Sequence, residues 1–335
     1  MLAWAHARAY DGGQFLIRIE DIDRGRSRAE HEQQQLEDLH AIGIDWDGQP
    51  VRQSKRADAG VYQYALDVLE AKGLVYPCFC SRKEIQQQIQ QAASAPHGAP
   101  GAYPGTCRDL SATELEQKWA EAKKNGRQPS LRLRSAVTSW QAWEEFAEVD
   151  RGQNPRSSCG TWVRGDVDDF VLRRADGMWA YNLAVVVDDL AQGITEILRG
   201  DDLLASAARQ TYLAYVLNDA EPTSFPDHLF RYIHVPLVVN AEGRRLSKRD
   251  GDVTLGEVSA SAAQQWIVET LRNPVARQLS GQSKENHQRS RAWQDLDSIV
   301  DLPEVIRAAY QDTGCFDIPR QQVVFDSDTQ PESAR

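Results

Sequence analysis

The sequence predicts an α/β fold built on a largely parallel sheet. Three observations carry that reading. Near-continuous apolar runs, LAVVV at 183–187 and YIHVPLVVN at 232–240, have the composition of strands buried on both faces. Segments with apolar residues at helical spacing alternate with them. QFLIRIED at 14–21 ends in a group of acids, Glu20, Asp21 and Asp23. In open α/β sheets, ligands sit beyond the carboxyl ends of strands, so that acidic end is placed for a site.

Taken in order, residues 1–9 read as the end of a helix closed by Asp11-Gly12-Gly13, and 14–21 as a strand. Residues 28–42 place Leu36, Leu39 and Ile42 on one helical face and stop at Gly43. Residues 57–72 do the same with Val61, Ala65 and Val68, stopping at Gly73. The stretch 86–105 turns to Gln, Ala, Pro and Gly and predicts a flexible insertion. A helix is expected over 110–126 and a strand at SLRLRS, 130–135. DDFVLRRADG (168–177) followed by YNLAVVVDD (181–189) reads as a hairpin across Asp176-Gly177. Further helices are expected over 203–217, 262–272 and 302–311, with a polar, mobile stretch at 279–290.

The chain has 335 residues, enough for one large or two modest domains, and its 41% apolar and 26% charged content is ordinary for a globular protein. No apolar run approaches the length that spans a bilayer, and MLAWAHARAYDGG lacks the parts of a signal peptide. A cytoplasmic protein is expected. Five cysteines, at 78, 80, 107, 159 and 315, are too few and too unevenly spaced for a disulfide framework; Cys159 and Cys315 read as ordinary thiols. A net charge of −11 argues against a general nucleic-acid binder, yet a local basic face can hold phosphates while the rest stays acidic.

Two constellations carry chemistry. Glu20 at a strand end, Tyr181 after a turn and Arg199 before Gly200 supply a fixed anion, a hydrogen-bonding wall and a planar cation. That set suits an amino acid with one ammonium and two carboxylates. Taken singly, Glu20 and Arg199 also read as partners in surface ion pairs and Tyr181 as a half-buried core residue. The second is Cys78-x-Cys80 with Tyr103-x-x-x-Cys107. Thiolates two apart on extended backbone point the same way, as a shared tetrahedral zinc requires; a metal-free group of packed thiols is the alternative.

GGQFLIRIEDIDRGRS, YNLAVVVDDLAQGITEILRGDDLL and PLVVNAEGRRLSKRDG resemble, in order and spacing, the catalytic core of glutamyl-tRNA synthetases, over roughly residues 1–255. Arg245-Leu246-Ser247-Lys248-Arg249 is similar to the KMSKS-like lysine loop of class I aminoacyl-tRNA synthetases. The resemblance implies a Rossmann-like core and puts the family's glutamate-binding Glu, Tyr and Arg on Glu20, Tyr181 and Arg199. Its ATP-binding loop falls on Ser247 and Lys248, where a lysine stabilises the charge that grows on ATP phosphates as an acid is adenylated. YPCFCSR and AYPGTCRD resemble the zinc site of the short glutamyl-Q tRNA(Asp) synthetases, whose ligands correspond to Cys78, Cys80, Tyr103 and Cys107. His97 in the intervening insert is the alternative fourth ligand. Four protein ligands would make the zinc structural.

The resemblance implies four parts: core residues 1–75, a zinc-binding insertion at 76–165, core residues 166–255 ending in the lysine loop, and a short helical tail at 256–335 in place of an anticodon domain. It implies ATP with Mg2+, L-glutamate and tRNA(Asp) carrying queuosine as the reaction's participants, with no membrane partner and a monomer expected. A truncated glutamyl-tRNA synthetase charging tRNA(Glu) and a non-catalytic pseudo-synthetase are the rival readings. The second rests on one departure: no His-x-Gly-His occurs, and MLAWAHAR matches only the end of the helix that carries it. Roughly two dozen residues of a β-α-β unit of ~30 or more are then expected upstream, through a misplaced start or a degraded gene. The parallel sheet should lack its first, central strand and show open strand edges, and the ATP site should lack a helix amino terminus.

Overall fold

A computed structural model describes residues 1–25, 27–93, 103–145, 160–218, 229–239, 259–272, 291–313 and 323–324. Ser247 and Lys248, His97, Cys159, Cys315 and the stretch 279–290 lie outside the described residues.

The chain opens with α1 (Leu2–Arg8), which buries Trp4, Ala5 and His6. The strand expected over 14–21 narrows to β1 (Arg18–Ile19), paired parallel with β2 (Val51–Arg52). Its first half spends its backbone on a side chain: Phe15 N–H donates to the Asp47 carboxylate at 2.8 Å, and Asp47 N–H returns to the Phe15 carbonyl at 2.8 Å. Between β1 and β2 runs α2 (Ala29–Ala41).

The helix expected over 57–72 is two helices, α3 (Gln53–Asp58) and α4 (Val61–Ala71). Gly60 separates them with a φ of 77°, a conformation that costs glycine little and a side chain more. The buried face of α4 is Tyr62, Ala65, Leu66 and Leu69, so the stripe is rotated from the expected Val61, Ala65, Val68.

After β3 (Val75–Cys78) comes α5 (Arg82–Ala93), where a flexible insertion was expected from residue 86. Glutamine is a good helix former, and Ser81 and Glu84 start the helix reciprocally: Ser81 N–H donates to Glu84 Oε2 at 2.6 Å and Glu84 N–H to Ser81 Oγ at 3.2 Å. The next helix, α6 (Ala112–Lys124), begins with the same device on Ser111 and Glu114. β4 (Ser130–Leu133) follows as expected.

The sequence reading missed β5 (Ser139–Glu144) and β6 (Thr161–Asp166), an antiparallel pair whose Trp143 and Trp162 sit directly opposite with ring centroids 5.4 Å apart. β7 (Val171–Arg173) leads to the Asp176-Gly177 turn, which forms, with a bridge from Arg173 to Trp179. The expected return strand does not. Residues 181–192 are a helix, α7 (Tyr181–Gln192), with seven successive buried residues, Leu183–Asp189. A helix enclosed on all sides reads as an unbroken apolar run, which periodicity cannot tell from a buried strand.

β8 (Glu196–Gly200), α8 (Leu204–Leu217) and β9 (Arg231–Val235) complete the central part. Pro236 lies between β9 and β10 (Val238–Val239), and α9 (Ala260–Arg272), α10 (Leu302–Thr313) and β11 (Val323–Val324) follow.

The central sheet has the order β6-β5-β9-β8, parallel at β5–β9 and β9–β8 and antiparallel at β6–β5. β3-β4-β7 form a separate antiparallel sheet. The fold is therefore the expected α/β class with parallel segments, although strands β5 and β6 join the core sheet from within the stretch read as an insertion. Among the described residues, β8 is an edge strand and β1 pairs on one side only. A cavity of about 700 Å3 separates them, lined by Gly13–Arg18 on one side, Ile194–Leu198 on the other and by α1.

The main core lies between α4, α7, α8 and the sheets, with Leu66, Leu133, Leu183 and Leu213 fully enclosed. A second core joins the two ends of the chain: Trp4 and Ala5 of α1 pack with Trp293, Leu296 and Ile306. Full burial of a side chain such as Leu296 or Ile306 contributes about 1.5–3 kcal/mol.

Candidate active site

Glu20 and Tyr181 line one cavity, and Arg199 is near enough to act on the Tyr181 hydroxyl. Glu20 follows β1 directly and is half exposed, 3.4 Å from the Arg18 guanidinium. Tyr181 is the first residue of α7. Partial burial pushes its hydroxyl above the ordinary value, the Glu20 charge adds to that, and Arg199 and Arg18 oppose it.

Arg199 sits on β8, in register with His234 on β9. Its Nε–H donates to His234 Nε2 at 3.1 Å, one Nη1–H to Gln210 Oε1 at 2.6 Å, and one Nη2–H to the Leu203 carbonyl at 3.2 Å. Its guanidinium carbon is 4.9 Å from the centre of the Tyr232 ring. Because His234 Nε2 accepts, the ring proton is on Nδ1 and is given to Glu144 Oε2 at 2.6 Å. The buried Glu144 also accepts the His234 backbone N–H at 3.0 Å. Of its five N–H groups, three have acceptors among the described residues and one remains on each Nη, where a carboxylate could be received.

Several polar residues here were not singled out in the sequence. Arg18 on β1 is hydrogen-bonded to Asp189 and lies 3.9 Å from Asp188. Burial raises the Asp189 carboxyl, with Arg18 opposing. Asp188 is fully enclosed and accepts from Tyr62 Oη at 2.9 Å, from Gln53 Nε2 at 2.9 Å and from Arg56 Nε. The available signal was two adjacent acids ending an apolar run, VVVDD, a position where a charge is retained only with partners. His234 and Glu144 carried no signal, because their pairing spans two strands distant in sequence.

Cys78 at the end of β3, Cys80, and Cys107 inside the Gly105–Arg108 turn converge, their sulfurs all within 4.8 Å of one another. Gly105, with a φ of 79°, allows the tight turn. Tyr103 Oη is 3.2 Å from Cys78 Sγ and 3.9 Å from Cys80 Sγ, and Cys80 Sγ is 3.6 Å from Cys107 Sγ. A tetrahedral zinc with ~2.3 Å bonds holds its sulfurs about 3.8 Å apart, so the donors present fit that ion. Cys107 and Cys80 together hold the Cys78 thiol far below its ordinary value, as a thiolate acceptor between donors requires. The Arg132 guanidinium lies 3.8 Å over the Tyr103 ring.

The mixed α/β core with its parallel strand pairs is that of a class I aminoacyl-tRNA synthetase catalytic domain. Residues 1–298 match the family described as tRNA synthetases class I (E and Q), catalytic domain, and the chain belongs to that family. Within it, the chain stands with the glutamyl-Q tRNA(Asp) synthetases. It is 50% identical over 257 residues to the "Glutamyl-Q tRNA(Asp) synthetase" of Nocardia farcinica, covering 77% of this chain and 72% of that one. Against the protein of that name from Symbiobacterium thermophilum it is 42% identical over 272 residues, covering 78% and 75%. The crystal structure of the glutamate-tRNA synthetase from Elizabethkingia anophelis superposes with a TM-score of 0.64 at 20% identity, over 98% of this chain and 64% of that chain. The chain thus spans less than two thirds of that solved synthetase, and the likeness concerns the fold. Among the described residues no helix is long and apolar enough to cross a membrane.

Proposed function

We propose that this protein activates glutamate with ATP and transfers it to the queuosine base of tRNA(Asp). The observation that carries this reading is that Glu20 and Tyr181 line one cavity while Arg199 acts on the Tyr181 hydroxyl and, among the described residues, keeps one N–H on each Nη without an acceptor. Glu20 holds the substrate ammonium, Arg199 a carboxylate through its free fork, and Tyr181 forms the wall that orients the ligand. His234 and Glu144 hold Arg199 in place. The α-carboxylate attacks the α-phosphorus of ATP, releasing pyrophosphate and leaving glutamyl adenylate. Ser247 and Lys248 bind ATP with Mg2+, and Lys248 stabilises the charge that develops on the phosphates. Transfer to the nucleoside then releases AMP.

Cys78, Cys80, Tyr103 and Cys107 would hold one zinc ion. With all four positions filled by protein, its contribution would be to tie β3 to the segment 103–107. The division into core (1–75 and 166–255), insertion (76–165) and tail (256–335) belongs to the same reading, as does a cytoplasmic location.

The test is glutamate-dependent ATP–pyrophosphate exchange without tRNA, followed by transfer of labelled glutamate to tRNA(Asp) with and without queuosine. Exchange plus queuosine-dependent labelling is expected. Labelling of tRNA(Glu) instead would favour a charging enzyme, and silence in both assays a non-catalytic protein.

A further inference from the structure

Beside the cysteine cluster lies a buried cation, Arg132. It stands in β4 directly opposite Tyr76 of β3, and Cys78 is two residues further along β3. Residues two apart in a strand share a face, and diagonal neighbours across an antiparallel pair are within reach of a long side chain. Arg132 accordingly reaches the cluster. Its guanidinium carbon lies 3.8 Å from the centre of the Tyr103 ring, and it joins Cys107, Cys80 and Tyr103 as a hydrogen-bond donor to the Cys78 sulfur.

Arg132 is only 6% exposed, yet it has no carboxylate partner among the described residues. The arginines nearest to it in sequence and space are paired, Arg108 with Asp169 at 2.6 Å and Arg134 with Asp109 at 2.7 Å. One Nη1–H of Arg132 donates to the Asp169 carbonyl at 2.8 Å, and its enclosed Nε has no acceptor among the described residues. The Asp169 carboxylate itself is taken up by Arg108, by Tyr76 Oη at 2.7 Å and by the Ser135 N–H at 2.9 Å. A neutral carbonyl does not balance a guanidinium, which cannot shed its proton, and an isolated buried charge is costly. The anion within reach is the cluster. Zinc brings two positive charges, and three thiolates with a phenolate bring four negative ones, so the filled centre is an anion; it stays one if Tyr103 binds as a phenol.

The geometry points to Arg132 as the outer partner of this centre: its buried charge is the counter-ion of the zinc–thiolate group, and its guanidinium, set over the Tyr103 ring, holds that side chain at the fourth position. The inference rests on the zinc site proposed above and adds a residue beyond the four ligands, one that sets how tightly the metal is held. Partners of this kind change metal affinity by about 10–100-fold. Arginine suits the place better than lysine, because a planar cation can cover a ring while its edge donates to a sulfur and a carbonyl.

The test uses the purified whole protein. Competition with a chromophoric chelator measures zinc affinity, and cobalt in place of zinc reports the sulfurs through its sulfur-to-metal charge-transfer band. Arg132→Met keeps an unbranched stem and drops the charge. It should weaken zinc binding about tenfold or more. It should also move the cobalt band to longer wavelength, since a thiolate without a neighbouring cation gives up an electron more readily. Arg132→Lys keeps the charge and should recover part of the affinity, with the band near its wild-type position. Lys124→Met removes an exposed cation at the end of α6 and should change neither reading. Circular dichroism checks the fold; should the methionine variant not fold, Arg132→Gln, which keeps hydrogen-bond donors without the charge, should show the same loss. Wild-type affinity and an unmoved band in the uncharged variants would overturn the inference and leave the zinc site standing. So would a lysine variant as weak as the uncharged ones with an equally shifted band, since charge would then not be the agent. A wild type that binds no zinc would sink the zinc site, and its counter-ion with it.

Discussion

Arg199 on β8 gives its Nε–H to Nε2 of His234 on β9 at 3.1 Å, at one register position of a parallel strand pair. The imidazole is itself anchored by Glu144, so the guanidinium plane is set by a buried acid two groups away. In the proposed glutamate site this fixes the direction of the two free N–H groups. His234→Leu should raise KM for glutamate about tenfold with a smaller effect on kcat, the pattern of lost ground-state positioning. His234→Gln, which can still accept from Arg199, should restore part of it. An unchanged KM in the leucine variant would remove His234 from the site.

Lys248→Ala should lower glutamate adenylation on the order of a hundredfold, the loss expected for one charge-stabilising donor in the transition state. ATP–pyrophosphate exchange measures it. A near wild-type rate would exclude the lysine from the chemistry.

Cys80→Ser should abolish bound zinc by elemental analysis of the purified protein, because Cys80 Sγ lies 3.6 Å from Cys107 Sγ inside the same donor set. Zinc retained at one equivalent would reject these ligands.

Asp188 has no exposure and three side-chain hydrogen-bond donors, one of them the Arg56 guanidinium, with Arg18 a further 3.9 Å ion-pair partner. Asp188→Ala leaves that arginine beside an enclosed, uncompensated space, and removing one partner of a buried pair costs about 3–5 kcal/mol. Urea unfolding should show the midpoint falling accordingly. A loss below about 1 kcal/mol would mean Arg56 turns to solvent at little cost.

The Glu196 carboxyl is held below its ordinary 4.5 by the hydrogen bond from His6, with burial opposing. A depressed folded value means the contribution is complete above the ordinary value and is lost as pH falls through the lower one. Neighbouring Glu145 has the opposite sign: burial and the Glu196 charge raise it, so its contribution is largest when protonated and fades as pH rises. Arg231 faces both acids, at 3.8 Å and 3.6 Å. Melting temperature measured from pH 3 to 7 should therefore fall less steeply at the acid end in Glu196→Gln than in the wild type. Parallel curves would show that the bond to His6 carries no stability.

Local pattern determined what local physics controls. The helix expected over 110–126, the turn at Asp176-Gly177, the pairing of Cys78 with Cys80 on one extended segment, and the placing of Glu20 just past a strand were all legible, because each depends on neighbours within a few residues. Residues 181–189 were not: an apolar run is the same string of letters in a buried strand and in a buried helix, and only packing among α4, α8 and the sheets made it α7. Tertiary structure alone also decided that β5 and β6 would join the core sheet and that Arg199 would lean on His234. Those relationships join elements far apart in the chain, and no short-range periodicity encodes which distant backbone a strand or side chain will meet.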